Sequence, residues 1–115
     1  VDTGAFELFW QPQFDLACGR LSGFEALLRW RGADGTLISP SEFIPLAEES
    51  GLILPIGDWV IDAACAQLAR WRTSGLEPPL VGVNVSGLQI ACVDVAARLG
   101  AALARHRLPA GLIEV

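Results

Sequence analysis

Residues 6 to 16, "FELFWQPQFDL", form an aromatic-rich run that predicts a strand. "ACGRLSG" follows as a turn, punctuated by Gly19 and Gly23. Residues 21 to 30 predict a second strand, close enough to the first to pair with it as an antiparallel hairpin. Within it, "GFEALLRW" mixes two kinds of residue. Phe24, Leu27, Leu28 and Trp30 suit a buried strand, whereas Glu25 and Arg29 do not. "RGADGTLISPSEF" reads as a loop with a turn at Asp34-Gly35. Ser41 is then expected to cap a short helix, "EFIPLAEESG", that Gly51 ends. Pro45 falls in its expected first turn, where a missing N–H is tolerated.

The next helix has the strongest periodicity. Ile56, Trp59, Val60, Ala63, Ala64, Gln67, Leu68 and Trp71 recur at steps of three and four. Asp58 and Asp62 lie in its first half and Arg70 and Arg72 in its last turn, the polarity that the helix dipole favours. Gly75 is a stop signal, and Pro78-Pro79 forbid continuation. "LVGVNVS", residues 80 to 86, predicts a buried strand. "VDVAARLGAALARHR" predicts an amphipathic helix with Val95, Leu99, Ala102 and Leu103 on one face, broken by Pro109. "GLIEV" reads as a last strand. The order β-β-α-α-β-α-β alternates after the hairpin, which predicts an α/β fold with a mostly parallel sheet. An eight-stranded α/β barrel takes about 250 residues, of which this chain could supply only the first half.

Composition narrows the function classes. The chain has 115 residues, 52% hydrophobic, with four Trp and five Phe, which suits one small domain with a core. The net charge is −5, and all eight basic residues are arginine. Such a chain lacks the clustered basic face that binding a nucleic-acid polymer needs. The pairs Arg29/Arg31 and Arg105/Arg107 could still grip a small phosphate ligand. No apolar run approaches the ~20 residues of a membrane span, and Val1 to Phe9 lack the features of an export signal. Cys18, Cys65 and Cys92 are too widely spaced for a disulfide framework or a zinc site. They read as reduced thiols of a cytoplasmic protein. His106, the sole histidine, reads as a helix C-terminal residue.

"FWQPQFDLACGRLSGFEALLRW" resembles the opening of the EAL family, bacterial phosphodiesterases that open the signalling dinucleotide cyclic di-GMP. The naming tripeptide here is Glu25-Ala26-Leu27. The likeness continues through "SPSEFIPLAEESGLILPIGDWVIDAACAQLARW", "VNVSGLQI" and "RHRLPAGLIEV", so residues 1–115 resemble the N-terminal half of an EAL domain. The resemblance implies a modified, TIM-like β/α barrel whose first strand is antiparallel to its neighbour. It implies that Glu25, at the barrel mouth, binds a divalent metal (Mg²⁺ or Mn²⁺) and that Asn84 adds a carbonyl oxygen to the same site. It further implies that Arg29 reaches a substrate phosphate and that Gln11 lines the substrate groove. Read without the family, Glu25 is a surface-facing strand residue, Asn84 a strand-end turn former, Arg29 a solvent-facing ion-pair partner and Gln11 an edge polar residue. Trp10 and Gln13 stand where the family more often has Tyr and Ile, which points to a different groove floor. Glu48 and Glu49 project about 100° apart on a helix, so a solvated face explains them better than an acid/base pair.

The family's chemistry is two-metal hydrolysis. Its further ligands are a glutamate in a Glu-Leu-Thr-Glu-like segment, an aspartate pair, a lysine and another glutamate, all expected beyond Val115. The intact parent is expected to hydrolyse one phosphodiester and release a linear dinucleotide, and these 115 residues alone are expected to be inactive. A second reading is a non-catalytic cyclic di-GMP receptor; a third is an interaction module with no ligand. The expected partners are cyclic di-GMP, a second copy of the intact domain, and sensor or cyclase domains elsewhere in the parent, which could also carry a membrane tether.

Overall fold

The structure, a computed structural model, describes residues 6–75 and 80–115. β1 (Phe6–Phe14) and β2 (Leu21–Arg31) form the expected antiparallel hairpin. Its register sets Phe6 opposite Trp30, Leu8 opposite Leu28, Trp10 opposite Ala26 and Gln11 opposite Glu25. Successive strand residues point to opposite faces. The even positions therefore share one face, and the odd positions, Glu7, Phe9, Gln11, Gln13, Glu25, Leu27 and Arg29, share the other. The even face is the one the helices cover. Trp10 and Phe24 pack on Trp71 at ring separations of 5.4 and 5.5 Å, and Trp30 meets Phe43 at 5.7 Å.

A short β3 (Leu37–Ile38) pairs with the end of β2. The chain then passes through α1 (Pro40–Ser50) and α2 (Ile53–Thr73) to β4 (Leu80–Val83), parallel to β2. It returns through α3 (Gly87–Cys92) and α4 (Val95–Arg105) to β5 (Ile113–Glu114), parallel to β4. The sheet order is β1-β2-β4-β5, with β3 beside β2. This is the expected α/β arrangement with an antiparallel first strand, but the sheet is mixed rather than mostly parallel, because β2 pairs antiparallel with both β1 and β3. Val81, Val83, Ala26 and Ile113 bury one sheet face against Ile56, Val60, Ala64 and Leu68 of α2 and Ala102 and Leu103 of α4. Asp58 and Asp62 on α2 also pair with Arg98 and Arg105 on α4. These pairs are exposed, so they add little stability.

Several elements differ from the sequence reading. The order gains β3 and α3. At six residues α3 is too short to show a period, and its signal is the capping box that joins Ser86 and Gln89. α1 begins at Pro40, capped by Ser39 rather than Ser41. Pro40 suits the first helical position because its fixed φ is helical and its missing N–H is not needed there. Pro45 consequently lies inside the helix, not in its first turn. It removes only the bond to the carbonyl of Ser41, an exposed residue that water can reach. β1 stops at Phe14, because the Asp15 carboxylate accepts the Ala17 N–H at 2.8 Å and starts the turn. Gly51 ends α1 at φ 79°, and Gly75 follows α2 at φ 88°. Pro78-Pro79 lie outside the described residues. His106 closes α4 as expected. All three cysteines are free, with Cys65 buried and the other two exposed. Among the described residues no single helix is long and apolar enough to cross a membrane.

Candidate functional site

The face of the sheet without helices carries the polar residues. Glu25, Gly82 and Glu114 are successive partners across β2, β4 and β5. Partners in a parallel register point the same way, so Glu25 and Glu114 flank a glycine on one face. β4 ends at Val83 and Ser86 caps α3, so Asn84 lies in the strand-to-helix turn. Its Nδ2 donates to Glu25 Oε2 at 2.8 Å, across 59 residues of sequence. Glu25, Gly82, Asn84 and Glu114 line one depression of about 240 Å³, with Gln13 on its β1 side. It runs along β4 from Leu80 to Asn84, and its Asn84 and Val115 edge lies just past the carboxyl ends of β4 and β5, where sites of α/β barrels form.

The structure thus brings Glu25 and Asn84 together. Gln11 stands opposite Glu25 in the hairpin register, on the same face and exposed. Arg29 shares that face but sits four residues farther along β2, roughly 13 Å at strand rise. Its Nη1 donates to the Leu28 carbonyl at 2.8 Å, and its guanidinium lies 5.8 Å from the Phe9 ring centroid. Among the described residues Arg29 has no ion-pair partner. The ion pair falls instead to Arg31, whose Nε is 2.7 Å from Glu7 Oε1. Arg29 and Asn84 meet at a second cavity of about 310 Å³, lined also by Pro40 and Ile44 of α1, Gly57 of α2 and Gln89 of α3.

One sequence expectation needs correction. Trp10 lies on the helix-covered face against Trp71, so it cannot form a groove floor. Strand parity sends it there, and Gln13 alone carries the difference. Glu114 adds a carboxylate to this face that is not among the sequence-predicted site residues. Its signal was the alternation in "GLIEV": Ile113 is buried, so the acid beside it must face away from the helices. Glu48 and Glu49 do not line the depression.

The side-chain oxygen donors lining the depression are the carboxylates of Glu25 and Glu114 and the amides of Asn84 and Gln13, without sulfur or imidazole. This set fits a hard divalent cation. Asn84 turns its N–H toward Glu25, and a half-turn of the amide presents its oxygen instead. Among the described residues no three His, Cys, Asp or Glu side chains cluster closely enough to hold a metal.

The EAL domain family model matches residues 1–115. The signaling protein YkoW of Bacillus subtilis (strain 168) is 39% identical over 115 residues, covering 100% of this chain and 14% of YkoW. The bifunctional diguanylate cyclase/cyclic di-GMP phosphodiesterase MucR of Pseudomonas aeruginosa is 43% identical over 107 residues, covering 92% of this chain and 16% of MucR. The solved PaMucR phosphodiesterase in complex with c-di-GMP superposes with a TM-score of 0.89 at 38% identity, over 97% of this chain and 45% of that one. The chain therefore spans a small part of these curated relatives and under half of the solved PaMucR chain. Given a family match along its full length and a closely superposing fold, the chain belongs to the EAL-domain family.

Proposed function

We propose that the protein carrying this chain is a cyclic di-GMP phosphodiesterase, and that residues 1–115 supply the first half of its site. The observation that supports this best is the Asn84–Glu25 hydrogen bond of 2.8 Å, which joins two oxygen donors on the helix-free face. Glu25 and Glu114 offer carboxylate oxygens to Mg²⁺ or Mn²⁺, and Asn84 orients Glu25 and offers its own amide oxygen. Bound divalent cations, two in this reading, would polarise the phosphate and lower the pKa of an attacking water. Arg29 has a planar fork pre-set by Leu28 and Phe9 and takes a phosphate oxygen. Gln11 presents a neutral amide beside Glu25, in the substrate groove. Two carboxylates and two amides are too few donors for two cations. This stretch alone therefore does not turn substrate over. The parent works as a homodimer through the intact domain and carries sensor or cyclase domains. It resides in the cytoplasm, where the exposed Cys18 and Cys92 stay reduced.

The test is chromatography of cyclic di-GMP incubated with the intact protein and Mn²⁺ or Mg²⁺. Linear dinucleotide should form, and Glu25→Gln should slow its formation at least about a hundredfold, since even the loss of a group that only orients a metal ligand costs about 10–100-fold. Binding without turnover would leave the receptor reading; no binding at all would remove both.

A further inference from the structure

Gly82 is a glycine without a structural need for one. It lies inside β4, where glycine is destabilising relative to alanine. Its φ is not in the left-handed region, unlike Gly19, Gly35, Gly51, Gly75 and Gly111. Nor does packing require it, since an added Cβ would meet nothing nearer than the Phe24 carbonyl oxygen at 4.0 Å. Gly23 and Gly57 differ, because a Cβ there would come within 2.2 Å of the Leu80 carbonyl oxygen and 1.9 Å of the Gln89 amide. On either side of Gly82, Val81 and Val83 follow the usual preference of a buried parallel strand and fill the helix-covered face.

What the missing side chain leaves is space on the helix-free face, between Glu25 on β2 and Glu114 on β5. Neighbouring strands lie about 4.8 Å apart, so the two acid-bearing strands are roughly 9.6 Å apart with only Gly82 between them. Two carboxylates facing one gap repel each other unless a cation lies between them. A cation must approach carboxylate oxygens to roughly 2.0–2.6 Å, and a branched side chain rising from residue 82 would occupy that space. We infer that Gly82 is a positioning residue for the cation, keeping the floor between Glu25 and Glu114 open. This rests on the metal reading of the site proposed above.

The test uses the intact protein and Mn²⁺ alone as probe, followed by electron paramagnetic resonance. The relevant site is the Mn²⁺ binding that Glu25→Gln abolishes. Gly82→Val should weaken that site at least tenfold and Gly82→Ala less, in order of side-chain volume. Gly87→Ala, which also introduces a methyl into open space but outside the depression, should leave it unchanged. The melting temperature without metal should stay level or rise for both Gly82 variants, because each suits a strand better than glycine. Unweakened Mn²⁺ binding by Gly82→Val would overturn the inference and leave the metal reading standing. A fall in metal-free melting temperature for Gly82→Ala would also overturn it, by assigning Gly82 to packing. If the unmodified protein has no Glu25-dependent Mn²⁺ site, the metal reading fails and this inference fails with it.

Discussion

Gly57 sits in the interior of α2, where replacement by alanine ordinarily stabilises a helix by about 1 kcal/mol. Here the opposite sign is expected. A Cβ at position 57 would lie 1.9 Å from Gln89 Nε2 and 2.4 Å from its Cδ, well inside the roughly 3.5 Å of a carbon contact. Gln89 cannot swing into solvent, being only 3% exposed. Its Oε1 accepts the Ser86 N–H at 3.0 Å, and its own N–H donates to Ser86 Oγ at 3.2 Å. Displacing the amide breaks that capping box, at about 1 kcal/mol, and overpacks the junction of α2 and α3, at about 1–3 kcal/mol. After subtracting the propensity gain, Gly57→Ala should destabilise by roughly 1–3 kcal/mol. Urea unfolding read by the fluorescence of Trp59 and Trp71, both on α2, measures this. The interlock also predicts coupling. In a Gln89→Ala background the new methyl has room, so Gly57→Ala should become neutral or stabilising there. Equal costs in the two backgrounds, or a stabilising effect in the unmodified protein, would refute the reasoning.

Two further outcomes follow from the α2–α4 junction and its thiol. Burial raises the Asp62 carboxyl, but hydrogen bonds from His106 and Arg105, together with their positive charge, outweigh it and hold the group below its ordinary value. A depressed carboxyl contributes stability that is present above its unfolded pKa of about 3.9 and lost as pH falls through the folded value. Asp62→Asn should therefore flatten the acid limb of the urea midpoint between about pH 5 and 3; an unchanged slope would contradict this. Burial first, and then the charge of Asp62, push the Cys65 thiol up to about 11. Iodoacetamide near neutral pH should thus label Cys18 and Cys92 in the native protein and Cys65 only after unfolding, as peptide mass spectrometry would show; native labelling of Cys65 at the rate of the others would contradict its burial.

The sequence by itself determined the hairpin, the two long amphipathic helices and the family, because these are written in local periods, turn residues and a linear motif. It also placed Glu25 and Asn84 as candidate ligands, through the likeness of "FEALLRW" and "VNVS". The three-dimensional arrangement decided which residues face the site. Period-two alternation says that Trp10 differs in face from Gln11, but only the packing of Trp71 shows which face is covered. Likewise, Glu114 joins Glu25 only through two parallel registers that meet at Gly82. Those registers depend on strands 57 and 32 residues apart, from Glu25 to Gly82 and from Gly82 to Glu114, being brought side by side by the helices between them. No local pattern carries that information, because register is set by the burial of whole elements against each other.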